Sequence, residues 1–146
     1  MARRLLQYGL LFIGGAAVLI GLMIVGLGAQ RTAAIFNAVI SIVHDGGVMS
    51  GVDNANADSE LRFYSVIWIG YGIIMVQTAQ NISRHISRVP FLLILFFGGG
   101  AARLISYIVV GPPHALFVLL MGIELALPVL LGLCYVRARG GTLNVL

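Results

Sequence analysis

The chain has 146 residues, of which 60% are apolar and only 10% charged, and its mean hydropathy is +1.02. A soluble domain of this size carries about 25% charged residues, so the composition excludes one and points to an integral membrane protein. The length holds a single domain, residues 1–146. The net charge of +4 comes from arginine alone, with no lysine; these arginines flank apolar runs, which suits an anionic lipid surface and argues against nucleic acid.

Arg3 and Arg4 precede an apolar run from Leu5 to Ala29. Secretory signal cores reach only about 7–15 residues, so this run is expected to be an uncleaved spanning helix. Gly14, Gly21 and Gly28 recur at one spacing within it, with Ala17 between. Small residues in such a register let a second helix backbone come close.

Residues 30–60 form the longest connection. Its first half, Thr32 to Val43, is apolar enough for a short helix at the membrane interface. Its second half, Asp45 to Asp58, is rich in Gly, Asn and Asp and is expected to be loop. His44, Asp45, Asp53 and Asp58 match no metal-ligand spacing, so neither a metal nor a cofactor is expected.

The second span runs from Leu61 to Thr78. Tyr64, Trp68 and Tyr71 share a face at steps of four and three, and Met75 continues it. The stripe has two readings. It is an interfacial aromatic belt grading into core, or it is the wall of a pocket for a flat apolar molecule or an organic cation. Arg62, at the mouth of the span, is expected to snorkel towards the headgroups. Arg84, His85 and Arg88 follow in a connection expected to be solvated.

The third span is Pro90 to Val110, with Pro90 at a tolerated first-turn position. Gly99, Ala102 and Ser106 share a face beside Arg103 and are expected to mark a packing seam. Gly111 to His114 make a tight turn, with His114 exposed or capping. The fourth span is Ala115 to Val136, and its lone Cys134 reads as a small buried hydrophobe.

Lipid forces backbone hydrogen bonds to close within each segment, so all four spans are expected to be α-helices. The fold class is an all-α, four-transmembrane-helix bundle. Arg3, Arg4, Arg84, Arg88, Arg137 and Arg139 then fall on one side, while Asp45, Asp53, Asp58 and Glu60 fall on the other. The positive-inside rule places both termini in the cytoplasm.

Two charges interrupt the apolar runs. Folded as a hairpin about the Gly111–His114 turn, Arg103 and Glu124 come to similar depth, roughly 12–14 Å below the turn at ~1.5 Å per residue. A charge near mid-membrane costs at least ~2.5 kcal/mol, so the two are expected to pair. Pro128 lacks an N–H for the Glu124 carbonyl, leaving that oxygen free beside the carboxylate. The pair is either a clamp on the hairpin or a ligand site, with Tyr107 one turn from Arg103 in reach of it. No Ser-His-Asp or Cys-His arrangement and no phosphate-binding glycine loop can be defended.

Several of these residues together resemble an uncharacterised bacterial membrane family, domain of unknown function 4345. The likeness rests on Leu61-Arg62-Phe63-Tyr64 leading into Gly70-Tyr71-Gly72, then Gly99-Gly100-Ala101-Ala102-Arg103-Leu104. It continues through Gly111-Pro112-Pro113-His114 to Glu124-Leu125 and Pro128. The resemblance implies a small four-helix protein of the bacterial inner membrane and brings no activity with it.

Three functions compete. The first is a non-catalytic accessory subunit or homo-oligomer that packs against other membrane chains. The second is a binding or transport module for a lipid or small apolar ligand, using Tyr64, Trp68, Tyr71, Tyr107 and Pro128 above the charged pair. The third is a lipid-modifying enzyme with Glu124 as acid or base. Short connections and the lack of a catalytic set favour the first.

Overall fold

The computed structural model describes residues 1–42 and 51–143. Regular structure among them is helical: α1 Ala2–Leu27, α2 Ala29–Ile40, α3 Ala55–Gln80, α4 Ile82–His85, α5 Val89–Val110 and α6 Ala115–Leu143. A 3-10 turn, Ile86–Arg88, joins α4 to α5. Three stretches are long and apolar enough to cross a membrane: Ala2–Leu27, Ile82–Val110 and Ala115–Arg139. The expected second span, Leu61 to Thr78, lies inside the 26-residue α3. That helix is less apolar because Arg62, Gln77, Tyr64 and Tyr71 interrupt it.

The most extensive pairing joins α1 to α3, followed by α5 with α6 and α1 with α6. On α1 the buried residues Leu6, Leu10, Ile13, Gly14, Ala17 and Gly21 form one stripe at the three- and four-residue steps of a helix face. The two helices run antiparallel. Gln7 of α1 donates its side-chain amide to the Ala79 carbonyl of α3 at 2.8 Å, and Arg62 of α3 donates to the Val25 carbonyl of α1 at 2.5 Å. Between these ends the backbones touch. A Cβ on Gly14 would lie 2.8 Å from the Gly72 carbonyl oxygen, and one on Gly72 would lie 2.6 Å from that of Gly14.

The ends of the helices follow from local chemistry. At Gly28, φ is 86°, a left-handed conformation that suits glycine, and here the chain turns from α1 into α2. Asn54 caps α3, its side-chain oxygen accepting the Ala57 N–H at 2.8 Å. This corrects the expectation of loop up to Asp58: the helix has begun by Ala55, and Asp58 sits in its first turn, where a carboxylate meets the positive end of the helix dipole. His44 and Asp45 lie outside the described residues. The α5–α6 turn uses Gly111 at φ 115° and two prolines that cannot continue a helix. His114 then caps α6, its Nδ1 accepting the Leu116 N–H at 3.2 Å, as anticipated. The helix expected over Thr32 to Val43 is α2, which begins slightly earlier, at Ala29, and ends at Ile40.

The core gathers at one end of the packed helices. It comprises Leu6, Leu10 and Ile13 of α1, Met75 and Ala79 of α3, Ile82 of α4, Val89, Leu92, Leu93 and Phe96 of α5, and Leu131 of α6. These come from the first halves of α1 and α5 and the last halves of α3 and α6. Cys134 packs half-buried against them. At the opposite end α5 stands clear, and Ile108, Val109 and Val110 are all exposed. So much bare apolar surface is compatible with lipid and foreign to a water-soluble monomer.

Candidate functional site: a buried arginine–glutamate pair

The α5–α6 hairpin brings Arg103 and Glu124 together, with Nε of Arg103 2.8 Å from a carboxylate oxygen. Glu124 is buried, and Arg103 keeps about a third of its side chain exposed, 34%. The contact is made possible by Gly100, one turn before Arg103. A Cβ on Gly100 would lie 2.8 Å from the Glu124 Cβ and 3.0 Å from its backbone carbon. α5 is therefore as close to α6 as a helix can come at that level, and the arginine spans the short remaining distance.

The aromatic neighbour of the pair is Phe117, whose ring centroid is 5.5 Å from the guanidinium carbon. A ring face attracts a cation at this range. Phe117 was not anticipated, although it lies seven residues before Glu124 and hence on the same face of α6. Tyr107 was expected to reach the pair. It is 38% exposed and makes no hydrogen bond to the pair among the described residues. Pro128 is buried in α6, which continues past it as helix.

The aromatic stripe of α3 divides along its length. Met75 is fully buried. Tyr71 donates its hydroxyl to the Leu92 carbonyl of α5 at 2.6 Å. Trp68 sets its ring edge-on to Tyr71 and to Phe96, with centroids 6.2 and 6.4 Å away. Tyr64 is exposed and sets its ring edge-on to its neighbour Phe63. The inner part of the stripe is thus the contact between α3 and α5, and its outer part faces outwards.

Arg62 is not a free snorkelling side chain. Its Nε donates to Asp58 at 2.7 Å, and the other oxygen of Asp58 accepts the Ala29 N–H, the first of α2, at 2.9 Å. The Asp58 carboxyl is held below its ordinary value of 3.8, chiefly by the Arg62 hydrogen bond and then by the Ala29 N–H.

The small-residue face of α5 also differs from expectation. Gly99 has nothing within 4 Å of a notional Cβ, and Ala102 and Ser106 are exposed. Gly100 makes the internal seam instead. An open groove of about 910 Å³ runs along α6 beside α1, lined by apolar residues such as Phe12, Leu119, Ile123 and Leu130. At the N-terminal end of α1, a polar cleft of about 520 Å³ lies between α1 and the α3–α4 junction.

Chemically, the pair is a carboxylate neutralised by a guanidinium, with no third side chain hydrogen-bonded to it among the described residues. It joins α5 to α6 across the hairpin. Among the described residues no group of three or more His, Cys, Asp or Glu is placed to hold a metal ion.

No curated protein and no solved structure matches the chain. The sequence profile of one family matches residues 5–135, which takes in most of each of the four long helices, the Asp58–Arg62 contact and the Arg103–Glu124 pair. The chain therefore belongs to the family described as domain of unknown function DUF4345.

Proposed function

We propose that the protein crosses the bacterial cytoplasmic membrane four times, with both termini inside, and acts as a non-catalytic subunit that packs against other membrane chains. The observation that carries this reading is the closed Arg103–Glu124 pair. Charges at mid-membrane are functional by default, but here each is engaged by the other, and Phe117 flanks the arginine. The carboxylate is occupied as a hairpin clamp and is not presented to a substrate.

The fourth crossing is supported by the α1–α3 seam. α3 follows α1 antiparallel from Arg62 to Ala79, so a bilayer that encloses α1 encloses α3 too. At ~1.5 Å per residue its length exceeds the ~30 Å of hydrocarbon. Arg3, Arg4, Arg84, Arg88, Arg137 and Arg139 then share one side, which the positive-inside rule assigns to the cytoplasm. The packing role draws on α5, whose Gly99, Ala102 and Ser106 face outwards as a smooth surface for another helix.

The test is a photo-crosslinker at Ala102, activated in native membranes, followed by gentle-detergent purification and mass spectrometry of proteins and lipids. Crosslinking to a defined membrane chain, or to a second copy, is expected. Recovery of the chain alone with one enriched small molecule would replace this reading with a ligand-binding one.

A further inference from the structure

Beside the first turns of α1 lies the cleft of about 520 Å³, walled by Arg3 and Arg4 on one side and by Gln80, Asn81, Ser83 and Arg84 on the other. The walls come from segments about eighty residues apart in sequence, and the Arg3 guanidinium donates to the Ser83 hydroxyl across them. Gln7 also lines the cleft, with its amide engaged by the Ala79 carbonyl. Ile82, whose side chain is buried, also lines it.

Charge in the cleft is unbalanced. Three arginines line it, and none has a carboxylate partner among the described residues. The ion pairs among the described residues, Asp58–Arg62 and Arg103–Glu124, lie elsewhere. Asp53, Asp58 and Glu60 lie at or before the start of α3, at the far end of that helix from the cleft. Arginines scattered to set topology would not need to converge. Arg88, Arg137 and Arg139, on the same side, do not line the cleft, which marks Arg3, Arg4 and Arg84 as a set.

We propose that this cleft is a binding site for a phosphate group, and that its natural occupant is the headgroup of an anionic phospholipid. Guanidinium groups match phosphate oxygens in forked geometry. The amides of Gln80 and Asn81 and the Ser83 hydroxyl add neutral donors for the ester oxygens or a glycerol hydroxyl. Basic pockets between membrane helices on the cytoplasmic side bind anionic headgroups in this manner. The cleft sits where the apolar runs of α1 and α3 end, at headgroup depth, with apolar surface leading away from it for acyl chains. The site rests on the four-span reading for that depth, and it does not depend on whether the protein is a subunit.

The experiment places the full chain in nanodiscs of phosphatidylcholine, with and without a minority of phosphatidylglycerol, and measures thermal stability and lipid retention by native mass spectrometry. A separate arm adds inorganic phosphate to the phosphatidylcholine discs. Wild type should be stabilised by phosphatidylglycerol and retain it. The combined change Arg3→Gln and Arg84→Gln should weaken that retention roughly ten- to thirtyfold, whereas Arg137→Gln should leave it unchanged. Stabilisation by inorganic phosphate that depends on Arg3 and Arg84 keeps the phosphate site and assigns it a soluble occupant. Equal loss in the Arg137→Gln control, or no dependence on Arg3 and Arg84 in either arm, overturns the site. All these side chains are exposed, so the variants should fold, and unchanged stability in pure phosphatidylcholine checks this. Failure of the four-span reading would show separately, in the depth of Trp68.

Discussion

Asp58 and Arg62, one turn apart on α3, hold both sides of the corner between α1 and α2. Asp58 accepts the first N–H of α2 from Ala29, while Arg62 donates to the Val25 carbonyl near the end of α1. The ion pair between them, at 2.7 Å, joins the two contacts. Gly28 lies between, so close that a Cβ there would be 2.8 Å from the Arg62 guanidinium. The corner is thus capped from a third helix, and α2 is tied to α3.

This corner should be acid-sensitive. The Asp58 carboxyl in the folded protein lies below 3.8, so its contribution is complete above about pH 4 and is lost as pH falls through the folded value. Thermal unfolding of wild type and Asp58→Asn should differ most at neutral pH, with wild type the more stable. The two curves should converge in strong acid. A gap independent of pH would mean that the carboxylate charge is not what holds the corner.

The α1–α3 seam predicts a contrast between adjacent glycines. Gly14→Ala places a methyl against the Gly72 carbonyl and must move backbone, at a cost of about 1–3 kcal/mol. Gly15 has nothing within 4 Å, so Gly15→Ala should be neutral or stabilise by up to ~1 kcal/mol through helix propensity. Unfolding midpoints in detergent measure both. The same contrast applies to Gly100→Ala against Gly99→Ala.

Much of this fold is legible in sequence because hydropathy and helix period are local properties. The four long helices, the Gly111–His114 turn and the pairing of Arg103 with Glu124 all follow from counting residues along apolar runs. Helix rotation is another matter. Gly99 and Gly100 differ by one residue and hence by about 100° around the axis, and only contact with α6 determines which of them faces it. The Asp58–Ala29 bond joins a side chain to a backbone group of a different helix, a relation that no spacing encodes. Phe117 was within reach, through its seven-residue step to Glu124. The start of α3 was obscured because Asn and Asp favour both loops and helix caps, and here they cap.

Trp68 is the sole tryptophan, and it makes the fourth crossing measurable. It sits near the middle of Leu61–Thr78 and is 36% exposed. Lipids brominated deep in the acyl chain should quench its fluorescence more than lipids brominated near the headgroup. The reverse order would place α3 at the interface and remove the fourth span.

Topology is tested from the ends of α3 and α5. With Cys134 replaced by alanine, a cysteine at Asn54 should react with a membrane-impermeant thiol reagent in intact cells. One at Ser87 should react only after lysis. Inverted labelling would reverse the orientation.

The most direct test of the central claim, that the intramembrane charges serve the fold, is a double-mutant cycle on Arg103 and Glu124 read by unfolding in micelles. Glu124→Met or Arg103→Met alone strands a charge and should cost roughly 3–5 kcal/mol. Replacing both with methionine removes the charges together and should restore most of that stability. A double variant no more stable than the worse single change would contradict the clamp, and the pair would then need another role.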